Sequence, residues 1–149
     1  MIRKIYIGSD HAGFELKEKI KKYLKERRLR FEDLGTYSSE SVDYPDYAFP
    51  VAKKVAKEKN SRGILICGTG TGMVIAANKV KGIRAVAAYD KYSAEMSRLH
   101  NDANVLALRG RFFPYKRTKE IVSIWLETEF SSEPRHQKRI DQIKEFENR

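Results

Sequence analysis

The sequence predicts an α/β fold: a three-layer sandwich with a five-stranded parallel sheet between helical layers and a C-terminal tail helix. Three observations predict it. Short aliphatic runs alternate with longer stretches of helical periodicity along the chain. Strands joined through helices pair in parallel, and right-handed crossovers place those helices on both faces of the sheet. Two glycine-bearing loops, Gly8–Gly13 and Gly68–Gly72, each follow a strand-like run and lead into helical patterning. The 149 residues suit a single domain, 1–149, long enough to bury a substantial core.

Lys4 to Gly8 reads as the first strand, after which Leu16, Ile20, Tyr23 and Leu24 recur at helical spacing as far as the basic turn Arg27–Arg30. Phe31 to Leu34 is a short second strand. Beyond the polar segment Gly35–Asp46, residues Ala48, Val51, Ala52, Val55 and Ala56 mark one face of a second helix, with Asp46 as its expected cap. Gly63 to Cys67 is an aliphatic strand, Gly68–Gly72 a tight turn, and Met73–Lys79 the next helix. Ala85–Ala88 and Asn104–Leu108 supply two further strands around a helix from about Tyr92 to His100. A fifth helix carries Ile121, Ile124 and Trp125. After Ser131–Pro134, the tail His136–Asn148 shows only a narrow stripe of Ile140, Ile143 and Phe146, which predicts a helix packing on a partner surface. The whole pattern is Rossmann-like and doubly wound, without repeats or linkers.

Composition sets outer bounds. Apolar residues make up 41% and charged residues 34%, which argues against disorder. No apolar run approaches the ~18 residues that would span a bilayer. One cysteine forms no internal disulfide, and the start MIRKIYIGS has no signal-peptide pattern, so a cytoplasmic location is expected. A net charge of +10 favours anionic partners, although stretches such as Lys17–Arg30 and Lys53–Lys59 read as solvated helix faces. A nucleic-acid module would also account for the charge, but the chain lacks a recognition motif and an aromatic stacking pattern. Neither nucleic acid nor membrane is an expected partner.

In open parallel sheets, ligands bind beyond the carboxyl ends of the strands. Both glycine-bearing loops fall there. Gly8 and Gly13 have P-loop spacing, but Phe14 and Glu15 stand where Lys and Ser/Thr are needed, and Met73 replaces the third glycine of a dinucleotide fingerprint. ATP and nicotinamide cofactors are therefore disfavoured. The loop Cys67-Gly-Thr-Gly-Thr-Gly72 instead offers a nest of N–H groups able to hold an oxyanion or phosphate. A lone cysteine is usually a core hydrophobe, yet beside such a nest Cys67 becomes a candidate base or nucleophile. His100 and Asn101 close the fourth helix, where a histidine can simply meet terminal carbonyls. Arg135 and Arg139 share one helical face, and Arg109 and Arg111 lie just past the fifth strand, so an arginine-built anion pocket is a further expectation. Three histidines and one cysteine show no zinc spacing, so no metal is expected.

Together, Gly8-Ser-Asp-His-Ala-Gly13, Asp43-Tyr-Pro-Asp46, Cys67-Gly-Thr-Gly-Thr-Gly72, Ala76-Ala-Asn-Lys79, Gly82-Ile-Arg84, His100-Asn-Asp102 and Arg135-His-Gln-Lys-Arg139 resemble type B ribose-5-phosphate isomerases. That family also includes enzymes acting on galactose 6-phosphate and allose 6-phosphate. The resemblance implies cofactor-free, metal-independent aldose–ketose isomerisation of a small sugar phosphate, ribose 5-phosphate to ribulose 5-phosphate, through a cis-enediolate. It implies Cys67 as the base, with Thr69 and the amides of Gly68, Thr69, Gly70, Thr71 and Gly72 holding the enediolate oxygen. Asp10 and His100 resemble the pair that opens the furanose ring, and Asn101 and Tyr44 the residues lining the sugar. His11, Arg111, Arg135 and Arg139 resemble the phosphate grip. The resemblance further implies a homodimer or a tetramer built from dimers, with His100, Asn101 and Arg111 reaching a shared site across the interface. A hexose 6-phosphate is the alternative substrate, needing a longer pocket around the same base.

Overall fold

A computed structural model describes residues 1–149. The strands are β1 (Lys4–Ser9), β2 (Phe31–Asp33), β3 (Ser61–Cys67), β4 (Ala85–Ala87) and β5 (Val105–Arg109). The helices are α1 (Phe14–Glu26), α2 (Pro45–Lys57), α3 (Thr71–Ala77), α4 (Lys91–Asn101), α5 (Tyr115–Glu127) and α6 (Pro134–Glu147). All five strands are parallel, in the order β2-β1-β3-β5-β4. From β1 the chain first adds β2 on one side and then β3 on the other. The carboxyl ends of β1 and β3 therefore flank the switch point, where such sheets take their ligands.

Both faces of the sheet are covered, so the central strands are apolar throughout while their side chains still alternate between two cores. Ile5, Ile7, Ile64, Ile66, Leu106 and Leu108 face α1 and α5, meeting Ile20, Leu24, Ile121, Val122 and Trp125. Tyr6, Leu65, Cys67, Val105 and Ala107 face α2 and α3, meeting Val51, Ala52, Met73 and Ala76. Each fully buried large aliphatic side chain contributes roughly 1.5–3 kcal/mol. The alternation also has a chemical consequence, because it turns the Cys67 side chain toward the start of α3.

Element boundaries shift by a few residues from the sequence pattern, and two differences have clear causes. Asp46 is not the cap of α2: the helix starts at Pro45, with Tyr44 as an N-cap that makes no side-chain bond. Proline's fixed φ begins the helix earlier, leaving Asp46 in the first turn, where its charge suits the helix dipole. The tail helix α6 docks first on its own chain, packing on α4 with His136 and Ile140 buried, while Ile143 and Phe146 stay exposed. No helix is long and apolar enough to cross a membrane.

Candidate active site

Cys67 is the last residue of β3 and is 5% exposed. Its sulfur accepts the Gly70 N–H at 3.1 Å. That approach requires Gly70 at φ +87°, a left-handed conformation that favours glycine. Thr69 Oγ1 accepts the Thr71 N–H at 3.2 Å, which leaves the Thr69 hydroxyl proton available. Gly70 and Thr71 thus spend their N–H groups within the loop, whereas those of Gly68, Thr69 and Gly72 have no acceptor in the chain. The expected five-amide nest is narrower, with three free donors beside the thiol.

The β1 loop closes on the same place. Asp10 is buried, and its Oδ1 accepts the Ala12 and Gly13 N–H groups at 2.9 and 3.1 Å, leaving Oδ2 free of them. The Asp10 N–H donates to the Ile66 carbonyl, one residue before Cys67. A Cβ at Gly13 would lie 2.5 Å from that same Ile66 oxygen, so only glycine lets the two loops meet so closely. His11 Nδ1 lies 3.2 Å from both the N–H and the carbonyl of Val42, fastening the segment ahead of α2. Tyr44 lays its ring against Gly72, where a Cβ would come within 2.7 Å of it. The Arg111 side chain lies beside Gly68, and its N–H donates to the Gly68 carbonyl. Arg111 thus reaches this loop from within the same chain rather than across an interface, because Gly110 N–H binds the Cys67 carbonyl and turns the β5 exit over β3. Arg109 Nε supports that turn by donating to the Arg111 carbonyl.

His100 and Asn101 lie elsewhere. They end α4, which runs back from the carboxyl end of β4 to the amino end of β5. The Asn104 carbonyl accepts from Gly63 N–H, four residues and about 13 Å of strand below Cys67. Asn101 is lower still, its carbonyl bound by Arg84 Nε at 2.9 Å. Around it gather the residues of α6. His136 stacks 4.4 Å from the His100 ring and meets Ser131 Oγ through Nδ1 at 2.7 Å. Burial, with the nearby charges of His100 and Arg135, holds the His136 imidazole below its usual range. Arg135 is exposed and bonded to Glu133 at 2.8 Å. Arg139 lines a groove of about 330 Å³ with Asn101, Ile140 and Ile143. One chain therefore carries two clusters at opposite ends of its sheet: Asp10, His11, Tyr44, Cys67–Gly72 and Arg111 at one, His100, Asn101, Arg135 and Arg139 at the other.

The largest cavity, about 620 Å³, also opens at the amino end of the sheet, among Arg62, Arg84, Arg98 and Lys144. Its carboxylates Glu58 and Asp102 are paired with Arg3 and with Arg84 and Arg98, and it has neither a thiol nor a glycine loop of free N–H donors, so chemistry rather than volume places the candidate site at Cys67. Sequence reasoning passed over Tyr89, whose hydroxyl donates to the Thr69 carbonyl at 2.9 Å. It stands in no motif.

The fold is that of an α/β enzyme, a class in which ligands bind at the carboxyl ends of the central strands. More particularly, the chain belongs to the Ribose/Galactose Isomerase family, whose pattern matches residues 5–143. It is 49% identical over 148 residues to ribose-5-phosphate isomerase B of Escherichia coli, covering 99% of each chain. A solved ribose-5-phosphate isomerase B from Clostridium thermocellum superposes with a TM-score of 0.94 at 50% identity, over 97% of each chain. The Mycoplasma genitalium ribose-5-phosphate isomerase B with bound ribulose-5-phosphate superposes with a TM-score of 0.94 at 43% identity, over 99% of each chain.

Proposed function

We propose that this chain, acting as one isomerase domain in the cytoplasm, interconverts D-ribose 5-phosphate and D-ribulose 5-phosphate in the non-oxidative pentose phosphate pathway. One observation carries the reading: the lone thiol sits at the sheet's switch point, with free N–H groups of Gly68, Thr69 and Gly72 beside it. Family membership and the relative that binds ribulose-5-phosphate support the substrate.

In the proposed mechanism, Asp10 Oδ2 and His100 exchange protons with the ring oxygen and the anomeric hydroxyl, opening the furanose. The Cys67 thiolate then takes the C2 proton. The C–H electrons form the C1–C2 double bond, and the aldehyde oxygen becomes the enediolate oxyanion. Free amides and the Thr69 hydroxyl hold that charge, the contribution that is usually largest in such reactions. The thiol returns the proton to C1, the O2 hydroxyl proton passes to the O1 oxyanion, and the ketose forms with no net change in protons or electrons. His11, Arg111, Arg135 and Arg139 grip the phosphate, and Tyr44 and Asn101 flank the sugar. His100, Asn101, Arg135 and Arg139 come from a second copy of the chain, because one chain holds them at the far end of its own sheet. Ile143 and Phe146 give that copy an apolar surface to cover.

All proton transfers use the chain's own groups, so turnover of ribose 5-phosphate is expected to be unchanged by EDTA. The test compares ribose 5-phosphate, allose 6-phosphate and galactose 6-phosphate. Faster turnover of a hexose phosphate would replace the pentose reading, and inactivity on all three would end the isomerase reading.

A further inference from the structure

The Thr69–Gly70 peptide is gripped from both sides. Its carbonyl accepts the Tyr89 hydroxyl at 2.9 Å, and its N–H donates to Cys67 Sγ at 3.1 Å. In a trans peptide these two groups point in opposite directions, so fixing one fixes the other. Gly70, at φ +87°, has no Cβ to hold this plane, and a glycine-flanked peptide can rotate unless something anchors it. Tyr89 is itself anchored: its ring packs on Phe113 at 6.4 Å between centroids, and Arg117 covers the far ring at 5.5 Å. Phe113 in turn rests on the core beneath α1 and α5.

We infer that Tyr89 is a positioning residue for the proton-transfer step, orienting the Thr69–Gly70 peptide so that its N–H stays aimed at the Cys67 sulfur. It bonds to the Thr69 carbonyl and acts on the thiol through that one peptide plane. The inference rests on Cys67 as the base, but the Tyr89-to-sulfur link can be tested separately. Without the hydroxyl, the peptide samples orientations in which the sulfur loses its donor. The thiolate is then less well stabilised, and the Thr69 N–H and hydroxyl are less well placed for the oxyanion.

The test is Tyr89→Phe, which keeps the ring on Phe113 and removes only the donor. Isomerase kcat is expected to fall roughly three- to tenfold with KM changed less than twofold, the range for one hydrogen bond lost in the transition state. Thermal unfolding should be unaltered, because the hydroxyl is partly exposed. Cys67 is the only cysteine, so its alkylation by iodoacetamide at neutral pH reports on the sulfur without any assumption about the base. That rate is expected to fall by a similar factor in Tyr89→Phe. Unchanged alkylation and unchanged kcat would overturn the inference. Slowed alkylation alongside a Cys67→Ala enzyme that still turns over would uphold the link to the sulfur and remove Cys67 as the base. Slowed kcat with unchanged alkylation would overturn it, since the effect would then bypass the sulfur.

Discussion

Cys67 makes a hydrogen bond through its sulfur although it is 5% exposed and belongs to the apolar cluster under α2 and α3. A core cysteine needs no donor, so this bond favours a chemical role over packing alone. Cys67→Ala should therefore lose about 10²–10⁴-fold in kcat, the usual contribution of one positioned base. Sugar-phosphate binding by calorimetry should persist, since the anion grip is built from other side chains. Near-normal turnover would return Cys67 to the core. Asp10, Cys67 and the glycine loop were legible in the sequence because strand-end loops with several glycines narrow both the backbone and the chemistry. Tyr89 was not legible. Its role depends on β4 lying at the sheet edge beyond β5, which brings the β4–α4 turn over the loop after β3, and nothing local in Tyr89-Asp90 records that neighbour.

Among the elements, α1 departs most from its sequence reading. Lys17 belongs to a stretch that looks like a solvated basic face, yet its side chain is fully buried and bonded to Asp33 at the end of β2 at 2.6 Å. Lys21 adds a second contact at 2.8 Å. Helical periodicity identified the α1 core correctly at Ile20, Tyr23 and Leu24, but a charge run cannot show which lysine meets a carboxylate from another element. Burial alone would raise the Asp33 carboxyl, but bonds from Lys17, Lys21 and the Gly35 N–H outweigh it and hold the group below its usual range. A carboxylate with a depressed folded-state value contributes stability above its unfolded value, near ~3.9, and loses it as pH falls through the lower folded value. Asp33→Asn would strand the Lys17 charge. It should cost about 3–5 kcal/mol, a drop in Tm on the order of 10 °C at neutral pH. The gap to wild type should narrow when unfolding is followed below pH ~4. A Tm within a degree or two of wild type at neutral pH would show that the buried pair contributes nothing.

For the whole molecule, the decisive feature is that α4 runs antiparallel to the strands and carries His100 and Asn101 away from Cys67. The sheet and its crossovers were readable from periodicity, and with them the end at which each helix finishes. The residue pattern placed Arg111 just past β5, at the same end of the sheet as Cys67, but could not show that β5 lies beside β3, which lets the Gly110 N–H bind the Cys67 carbonyl and brings Arg111 onto this loop. If one site needs both clusters, two chains must pair so that each supplies what the other lacks, as a two-fold interface allows. Cys67→Ala and His100→Ala should each be inactive alone. Mixed under conditions that let subunits exchange, they should form about half heterodimers, each with one intact site and one doubly damaged site. One of two sites working in half of the molecules predicts recovery of roughly a quarter of wild-type activity if sites act independently. Native mass spectrometry of chains differing in mass would establish that exchange took place. Full exchange without recovered activity would mean that Cys67 and His100 do not complete one site between two chains. The shared-site model would then have to be abandoned together with the role assigned to His100.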